Sequence, residues 1–245
     1  MVWSTRRRYR MNEMEIPEGW EAEQLQMASS VEIPTEGGYV PQEGDRMVAF
    51  DIQYEGDIAH VAATSFLWGG EKEAVYTAGM EVDIPYISGY FCFREGPPLL
   101  AMLRHLEAEQ VTPACLIVDG HGLAHPRLFG AACWLGVKTG LPTLGIAKDT
   151  LVRFEGELAE ERGSTLDVVV GDECVGHVLR RRDGIRPVYV SPGHLIRLDV
   201  ATDIALQLPS KYRIPDPIRW ADQAARARAK GEHLANTREC GTLSL

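Results

Sequence analysis

Residues 115–127 read Cys-Leu-Ile-Val-Asp-Gly-His-Gly-Leu-Ala-His-Pro-Arg, and this segment decides how the chain folds. Its apolar run at 116–118 predicts a buried strand that ends abruptly at Asp119. Two glycines then flank His121, which allows a sharp turn and leaves room for a close approach. In α/β folds, a strand followed by an acid and a glycine turn places a charge at the carboxyl edge of a sheet, where ligands and metals bind. The segment therefore predicts an α/β fold with Asp119 at such an edge.

Three further strands precede this segment and are separated by short turns. They are predicted at residues 47–54, 58–68 and 74–82, from their apolar and alternating patterns. Because two short turns join three consecutive strands, these strands should form an antiparallel meander.

After Pro85 the pattern changes to alternating helices and strands. The predicted elements are a helix over 99–106 opened by Pro97-Pro98, a strand at 114–118, a helix over 126–138, a strand at 143–147, a hairpin at 168–170 and 174–179, a strand at 188–190 and a helix over 195–208. Such alternation implies parallel strands with right-handed crossovers. A three-strand antiparallel meander plus parallel strands, flanked by helices, is the order of a ribonuclease-H-like mixed sheet. We predict an α/β fold of this type.

The 245 residues suffice for one sizeable domain. We place that domain at 46–232. Before it, residues 1–45 should form an N-terminal arm and helix, partly extended, with the amphipathic helix over 20–32 and a loop at 33–45. Residues 233–245 should form a C-terminal tail.

Composition narrows the class of protein. The formal net charge of −10 disfavours a nucleic-acid binder that works through its whole surface, but it is compatible with a nuclease, whose metal site is acidic. Basic clusters occur at 5–10, 180–182 and 226–230, and each is expected to be a solvated face. No apolar run is long enough to span a bilayer, and no signal core follows the basic start, so no membrane association is predicted.

The five cysteines are scattered and never form a C-x-x-C pair. This pattern argues against a disulfide framework and against a zinc site. We expect reduced thiols, most of them in the core of a cytoplasmic protein.

Three acids lie where the predicted fold can bring them together. Asp51 lies inside the first strand, Glu95 lies just before the helix opened by Pro97-Pro98, and Asp119 ends the fourth strand, which should pair with the first. Converging carboxylates repel one another unless they share cations, and oxygen ligands select Mg²⁺ or Mn²⁺. Ions bound by Asp51 and Asp119 would activate a water and stabilise the leaving oxygen in phosphodiester hydrolysis.

Each of these residues also has a structural interpretation. Asp119 alone fits a helix cap or turn former equally well, whereas Asp51 would need a buried basic partner. Lys148 fits a surface lysine, or a phosphate contact that also balances the charge of a metal site. His125 fits an N-terminal cap of the following helix, or a hydrogen-bond donor to a phosphate or a water.

Four sequence blocks resemble the endonuclease V family, also called deoxyinosine 3′-endonuclease. The resemblance runs from about residue 47 to 230, and the blocks lie at 50–54, at 84–97, at 118–127 continuing to 142–148, and at 190–195 continuing to 212–222. It implies a ribonuclease-H-like fold and a DNA-repair endonuclease that recognises deoxyinosine. It further implies hydrolysis of the second phosphodiester bond 3′ to the lesion, leaving 3′-hydroxyl and 5′-phosphate ends. The implied cofactor is Mg²⁺, for which Mn²⁺ should substitute.

The resemblance also implies roles for single residues. Asp51 and Asp119 match the metal-binding aspartates, Glu95 the third carboxylate, and Asp222 a fourth position at the start of the last helix. Lys148 and His125 would hold phosphate or transition-state charge. Tyr86 matches a wedge that replaces the stacking of the lesion base. The residues implied for the hypoxanthine pocket are Gly89, Gly120, Ala147 and Leu151. The chain departs from the family pattern at Ile52-Gln53 and at Ser88, and neither departure removes a residue that carries the chemistry.

Two other functions remain open on the sequence. One is an inosine-specific endoribonuclease that uses the same site on RNA. The other is a catalytically silent inosine-binding protein, against which the four acids argue, since a binding module gains nothing from clustered unpaired carboxylates. In each case the partner is nucleic acid containing inosine, and we expect a monomer.

Overall fold

The chain forms one mixed sheet covered by helices. The computed structural model describes residues 16–245, so the basic segment predicted at 5–10 lies outside the described residues. The elements in that range are α1 (Trp20–Ala28), β1 (Arg46–Glu55), β2 (Ile58–Leu67), β3 (Lys72–Glu81), α2 (Phe91–Ala108), β4 (Cys115–Val118), α3 (Ala131–Thr139), β5 (Thr143–Ala147), β6 (Thr165–Val170), β7 (Glu173–Leu179), β8 (Val188–His194), α4 (Leu198–Gln207), α5 (Asp216–Ala229) and β9 (Thr237–Thr242). None of the helices in this range has the length and apolarity that a bilayer crossing requires.

The strand order is β6-β7-β8-β5-β4-β1-β2-β3-β9. Strands β1, β2 and β3 form the predicted antiparallel meander. Strand β4 pairs with β1 in parallel and β5 pairs with β4 in parallel, whereas β8 returns antiparallel to β5. The predicted pairing of the fourth strand with the first is therefore confirmed, as is the hairpin, formed by β6 and β7.

The central strands are buried on both faces, which explains their continuous apolar runs. Side chains alternate along β1, so that Met47 and Ala49 pack on one face of the sheet while Val48 and Phe50 pack on the other. Helices α2 and α3 cover the face that carries Phe50, and helices α4 and α5 cover the face that carries Met47. Two cores of this kind fix the register of β1, and with it the position of Asp51.

Helix α2 begins earlier than its prolines predict. It starts at Phe91, and Pro97 and Pro98 lie inside it, so Glu95 belongs to the helix instead of preceding it. A proline inside a helix leaves the carbonyl four residues before it without its usual N–H donor. For Pro98 that carbonyl is Arg94 O, which accepts a hydrogen bond from the Tyr54 hydroxyl at 3.1 Å. A donor on β1 thus compensates for the missing N–H and lets the helix continue.

Helix α3 begins later than predicted, at Ala131 and not near residue 126. The loop before it turns back on itself, with Leu128 at φ 54 and the Gly130 N–H donating to Gly122 O at 3.0 Å. His125 therefore lies in a loop, and the prediction that it could cap this helix is wrong.

Two other expectations need correction. Arg180 and Arg181 are buried, not solvated: Arg180 donates to Ile185 O at 2.7 Å, and Arg181 donates to the carbonyls of Ala205 and Leu208. They tie the end of β7 to the loop that contains Ile185 and to the C-terminal end of α4. In addition, the segment predicted as a C-terminal tail contains β9, which pairs in parallel with β3 at the sheet edge.

Candidate active site

Asp51 and Asp119 lie side by side on neighbouring parallel strands. Phe50 on β1 pairs with Val118 on β4, and the Asp119 N–H donates to Phe50 O at 3.2 Å. The next residue after each of these positions is an aspartate, and the two carboxyl groups lie close enough to repel each other. Asp51 is buried, and its pKa is raised to about 8, first by burial and then by repulsion from Asp119. Two acids in contact at the end of the sheet form the centre of the site.

Glu95 brings a third carboxyl group from α2. Its side chain is buried, and burial raises its pKa well above the ordinary value, with further repulsion from Asp51 and Asp119. The three predicted acids, which come from β1, α2 and the end of β4, therefore meet in space. Their mutual repulsion in a poorly solvated place favours either protons or a cation between them.

Lys148 follows β5 directly and points into this acidic cluster. Its ammonium group forms an ion pair with Asp119 and lies 3.8 Å from Asp222 Oδ1. Burial lowers the pKa of Lys148, but attraction from Asp119 and the other two aspartates outweighs this effect and the pKa is raised. The lysine is thus a charged partner of the acids, and its interpretation as an ordinary surface lysine fails.

Asp222 reaches the cluster from α5, which packs on β1. It lies in the middle of that helix and not at its start, as the resemblance implied. Arg226 Nε donates to Asp222 Oδ1 at 2.9 Å. The Gln53 amide donates to Asp51 Oδ2 at 3.0 Å and lies 3.5 Å from Asp222 Oδ1. Gln53, one of the departures from the family pattern, therefore connects Asp222 to Asp51.

His125 is buried and neutral near the same cleft. Its Nδ1 accepts the Arg127 N–H at 3.2 Å, so the ring proton resides on Nε2. Burial lowers its pKa to about 4, with repulsion from Arg127 and His121 adding to this effect. Since the ring stays neutral at pH 7, it offers a hydrogen-bond donor and not a charge.

A cleft of about 380 Å³ adjoins the acids. Four of the six predicted catalytic residues and all five predicted substrate-binding residues line it, namely Glu95, Asp119, His125, Lys148, Tyr86, Gly89, Gly120, Ala147 and Leu151. Asp51 and Asp222 contact this lining through Asp119 and Lys148. Tyr86 and Leu151 lie at the rim, 60% and 51% exposed, and the Tyr86 ring stands edge-on to Phe91 at 5.3 Å. The structure thus brings every predicted site residue to one place.

Comparison with known proteins identifies the family. A family model described as Endonuclease V matches residues 28–223. The chain belongs to the endonuclease V family. An endonuclease V from Roseiflexus castenholzii is 42% identical over 176 residues, which cover 71% of this chain and 78% of that protein. Membership in the endonuclease V family makes the chain a nuclease, a hydrolase of phosphodiester bonds.

Solved structures of endonuclease V share the fold. The enzyme from Streptomyces avermitilis superposes with a TM-score of 0.79 at 37% identity, covering 88% of this chain and 94% of that one. An endonuclease V from Ciona intestinalis, solved in complex with a 24mer DNA containing an inosine followed by a ribo-adenosine, gives a TM-score of 0.76 at 25% identity, covering 86% of this chain and 97% of that one. The ribonuclease-H-like fold class predicted from the strand order is confirmed.

Two residues that the sequence interpretation missed hold the loop that carries Tyr86 and Gly89. Gln24 on α1 is fully buried and its amide donates to Gly89 O at 3.1 Å and to Phe129 O at 3.0 Å. Arg127 also donates to Gly89 O, and its guanidinium stacks on the Tyr90 ring at 4.1 Å. The isolated Gln24 gives no signal in the sequence, whereas Arg127 lies inside a conspicuous block.

Gly145 is a further residue that was missed. A Cβ at this position would lie 2.4 Å from Gly120 O, because the turn at 120–122 runs directly against β5. Only a glycine lets the turn pass so closely, and the turn forms one wall of the cleft. The apolar pattern of β5 predicted the strand but not this contact.

The donor set fits a hard divalent cation. Asp51, Glu95 and Asp119 offer carboxylate oxygens without sulfur or imidazole among them, which suits Mg²⁺ or Mn²⁺ and not a thiophilic metal. The raised pKa values of Asp51 and Glu95 show that their negative charges are poorly compensated in this place, so a nearby positive charge would be favourable. A cation bound there would relieve the repulsion that Lys148 only partly compensates.

Proposed function

We propose that this member of the endonuclease V family recognises deoxyinosine in DNA, acts in DNA repair, and hydrolyses the second phosphodiester bond 3′ to the lesion with the help of a divalent cation. The products would carry 3′-hydroxyl and 5′-phosphate ends. The observation that carries the proposal is the convergence of two buried carboxyl groups, from β1 and α2, with the half-buried carboxyl group of Asp119 at the end of β4, beside a cleft with an exposed tyrosine at its rim. A nuclease needs the acids, and a lesion-recognising one also needs the cleft.

Mg²⁺ is the proposed cofactor, and Mn²⁺ should substitute for it. Asp51 and Asp119 would hold it, with Glu95 and Asp222 completing the acidic site. When bound, the cation would supply activation of a water and stabilisation of charge on the leaving oxygen.

The side chains around the acids supply the remaining contacts. The Lys148 ammonium, already held by Asp119, would neutralise a phosphate oxygen as charge develops on it. The Nε2–H of neutral His125 would donate a hydrogen bond to the phosphate or to a water next to it. Because the Arg127 N–H fixes the His125 tautomer, this donor needs no rearrangement before reaction.

The cleft would receive the flipped base. Gly89 and Gly120 bring bare backbone to its wall, so their peptide groups could hydrogen-bond the edge of hypoxanthine, while Ala147 and Leu151 would pack on its face. Tyr86, exposed at the rim, would fill the gap in the stack, where a planar ring replaces stacking of about 1–3 kcal/mol. The anchoring of Gly89 O by Gln24 and Arg127 would keep this pocket in shape without ligand.

The test is a nicking assay with labelled strands that differ at one position, deoxyinosine or deoxyadenosine, in Mg²⁺, Mn²⁺ or EDTA. The wild-type chain should nick only the inosine strand, only with metal, and at the second bond 3′ to inosine when products are sized against a ladder. Asp51→Ala and Asp119→Asn should abolish nicking and keep the fold, and Asp203→Asn, an exposed aspartate on α4, should behave as wild type. Full activity of Asp51→Ala in Mg²⁺ would refute the mechanism.

A third strand with riboinosine separates DNA from RNA as the preferred substrate. The DNA bound by the Ciona intestinalis protein carries a ribonucleotide after the inosine, which makes this arm worth including. Faster cleavage of the riboinosine strand would assign this chain as an endoribonuclease with the same site. Binding without cleavage in both metals would instead identify an inosine-binding protein.

The proposed setting is a monomer in the cytoplasm. Cys92, Cys115 and Cys133 are buried free thiols, as expected in a reducing compartment. Light scattering of the purified chain would test the monomer, and a dimer mass would overturn it.

A further inference from the structure

A second group of metal-ligating side chains lies on the β6–β7 hairpin. The Asp167 carboxylate, the Cys174 thiol and the His177 imidazole have ligand atoms that all lie within 4.8 Å of one another. Strands β8 and β5 separate this hairpin from β4 and Asp119. The group is therefore not part of the site described above, and the sequence interpretation, which excluded zinc from cysteine spacing, did not foresee it.

A β-bulge brings the three side chains to one face. Asp167 pairs directly with His177, but the register shifts further along, so that Val168 pairs with Gly176 and Val169 with Cys174. In a regular strand, residues 174 and 177 would point to opposite faces, because side chains alternate. The extra residue, Val175, restores them to the same face. Gly176 permits this bulge beside β8, since a Cβ there would lie 2.6 Å from Val190 O.

Thr202 on α4 orients the imidazole as a ligand. Its hydroxyl donates to Leu198 O at 2.8 Å, so the same oxygen accepts the Nδ1–H of His177, also at 2.8 Å. The lone pair of Nε2 then faces Asp167 Oδ1 at 3.5 Å. A lone pair facing a carboxylate is unfavourable unless a proton or a cation lies between them, and a second hydrogen bond that fixes the far nitrogen is the usual arrangement of a metal-binding histidine.

We propose that Asp167, Cys174 and His177 bind a borderline-soft dication such as Zn²⁺, with a fourth position left to water. A sulfur, a nitrogen and an oxygen ligand suit Zn²⁺ or Co²⁺ and not Mg²⁺, so the site differs in metal preference from the all-oxygen acids of the cleft. The ion would join both strands of the hairpin, and through His177 and Thr202 it would fasten them to α4. Its effect is therefore on the stability of this edge of the sheet.

The first test is titration of the full-length chain with Co²⁺, followed by the thiolate-to-cobalt charge-transfer absorption. Wild type should gain this band at one ion per chain. Cys174→Ser should lose it, whereas Cys240→Ser, a matched change at the other accessible cysteine, should keep it. The double variant Asp51→Asn/Asp119→Asn should also keep it, which separates this site from the cleft. Absence of the band in wild type, or its loss in Cys240→Ser alone, would overturn the proposal.

The second test concerns Thr202 as a positioning residue. Thr202→Val removes the acceptor of the Nδ1–H, and loss of such an outer contact lowers metal affinity about 10–100-fold. Zn²⁺ should raise the Tm of wild type and of Cys240→Ser but not of Cys174→Ser or His177→Gln. Cys174 is exposed, so its replacement should leave the circular dichroism unchanged. An equal Zn²⁺-induced rise in Tm for Cys174→Ser would contradict the site.

Discussion

Replacing Asp51 with asparagine should stabilise the metal-free protein at neutral pH while it abolishes cleavage. Asp51 is buried, and its pKa of about 8 means that the folded chain holds a proton there which the unfolded chain has released. Asparagine resembles the protonated acid. Its NH₂ can donate to the neighbouring Asp119 carboxylate, and its carbonyl can accept from the Gln53 amide that now contacts Asp51 at 3.0 Å.

The expected gain in the free energy of unfolding is at most the free energy that wild type spends on keeping Asp51 protonated at pH 7. A tenfold change in proton affinity corresponds to about 1.4 kcal/mol, so protonating a group with an ordinary pKa of 3.8 at pH 7 costs about 4 kcal/mol. The asparagine variant avoids this cost, but its amide is also buried and loses solvation. We therefore expect its free energy of unfolding to exceed that of wild type by about 2–4 kcal/mol at pH 7 without metal.

The direction in which the pKa of Asp51 is shifted determines whether the stability rises or falls with pH. Because the pKa of Asp51 is raised in the folded state, the folded chain binds more protons than the unfolded chain between 3.8 and about 8. Wild-type stability therefore falls as pH rises through this window. The advantage of Asp51→Asn should be small near pH 4, grow through neutral pH and level off above about 8.

Urea unfolding in EDTA at several pH values measures the difference in free energy of unfolding between Asp51→Asn and wild type. The same experiment in Mg²⁺ measures how much the metal stabilises each protein. A ligand that binds only the folded state stabilises it by mass action, so Mg²⁺ should raise the midpoint of wild type and leave Asp51→Asn unchanged. Asp203→Asn controls for the loss of a surface charge. A variant less stable than wild type in EDTA at pH 7, or a difference that does not widen with pH, would refute the reasoning.

Three further predictions concern the cleft. Lys148→Met should lower kcat at least about 100-fold with little change in KM, because the ammonium acts on charge that develops during reaction. Single-turnover kinetics measure this effect, and Lys148→Arg should recover part of the rate. A rise in KM as large as the fall in kcat would instead assign the lysine to ground-state binding. Tyr86→Ala should weaken binding of the inosine strand about tenfold in fluorescence anisotropy at unchanged Tm, since the side chain is 60% exposed, whereas Tyr86→Phe should bind as wild type. Gly145→Ala should destabilise the fold by about 2 kcal/mol because its Cβ would meet Gly120 O at 2.4 Å, and an unchanged urea midpoint would contradict that contact.

The sheet could be predicted because its signals are local. Continuous apolar runs mark the strands buried on both faces, and short turns force the meander. From these two features the pairing of β1 with β4 follows, and so does the meeting of Asp51 with Asp119. Strand β9 carries no comparable apolar run, and its place beside β3 was not foreseen.

The predicted helix boundaries were wrong where a residue distant in the sequence decides where the helix begins. Pro97 and Pro98 look like a helix start, yet the Tyr54 hydroxyl on β1 satisfies the carbonyl that Pro98 leaves free. The loop of His125 likewise depends on the bond from Gly130 to Gly122. The same limit applies to Gln24, which lies 65 residues from the carbonyl of Gly89 that it holds. No local pattern records such partners.

The roles of the site residues were predicted in two ways, from the predicted fold and from the family resemblance. Asp119 follows from a strand end, Asp51 from the cost of a buried charge and Glu95 from its place before a predicted helix. Asp222 and Tyr86, in contrast, follow only from the family resemblance. The structure adds what neither source supplies, namely that Gln53 connects Asp51 to Asp222.

The charges of the site connect its stability to its chemistry. Lys148 pairs with Asp119, while Asp51, whose pKa is raised to about 8, holds a proton at pH 7, and burial raises the pKa of Glu95 well above its ordinary value, which favours protons there too. A divalent cation that enters the site must displace those protons, because its ligands act as carboxylates. Its affinity should therefore rise with pH, and each binding event should release protons. The burial that makes the metal-free fold less stable at higher pH is thus the same property that makes the acids bind a cation more tightly there.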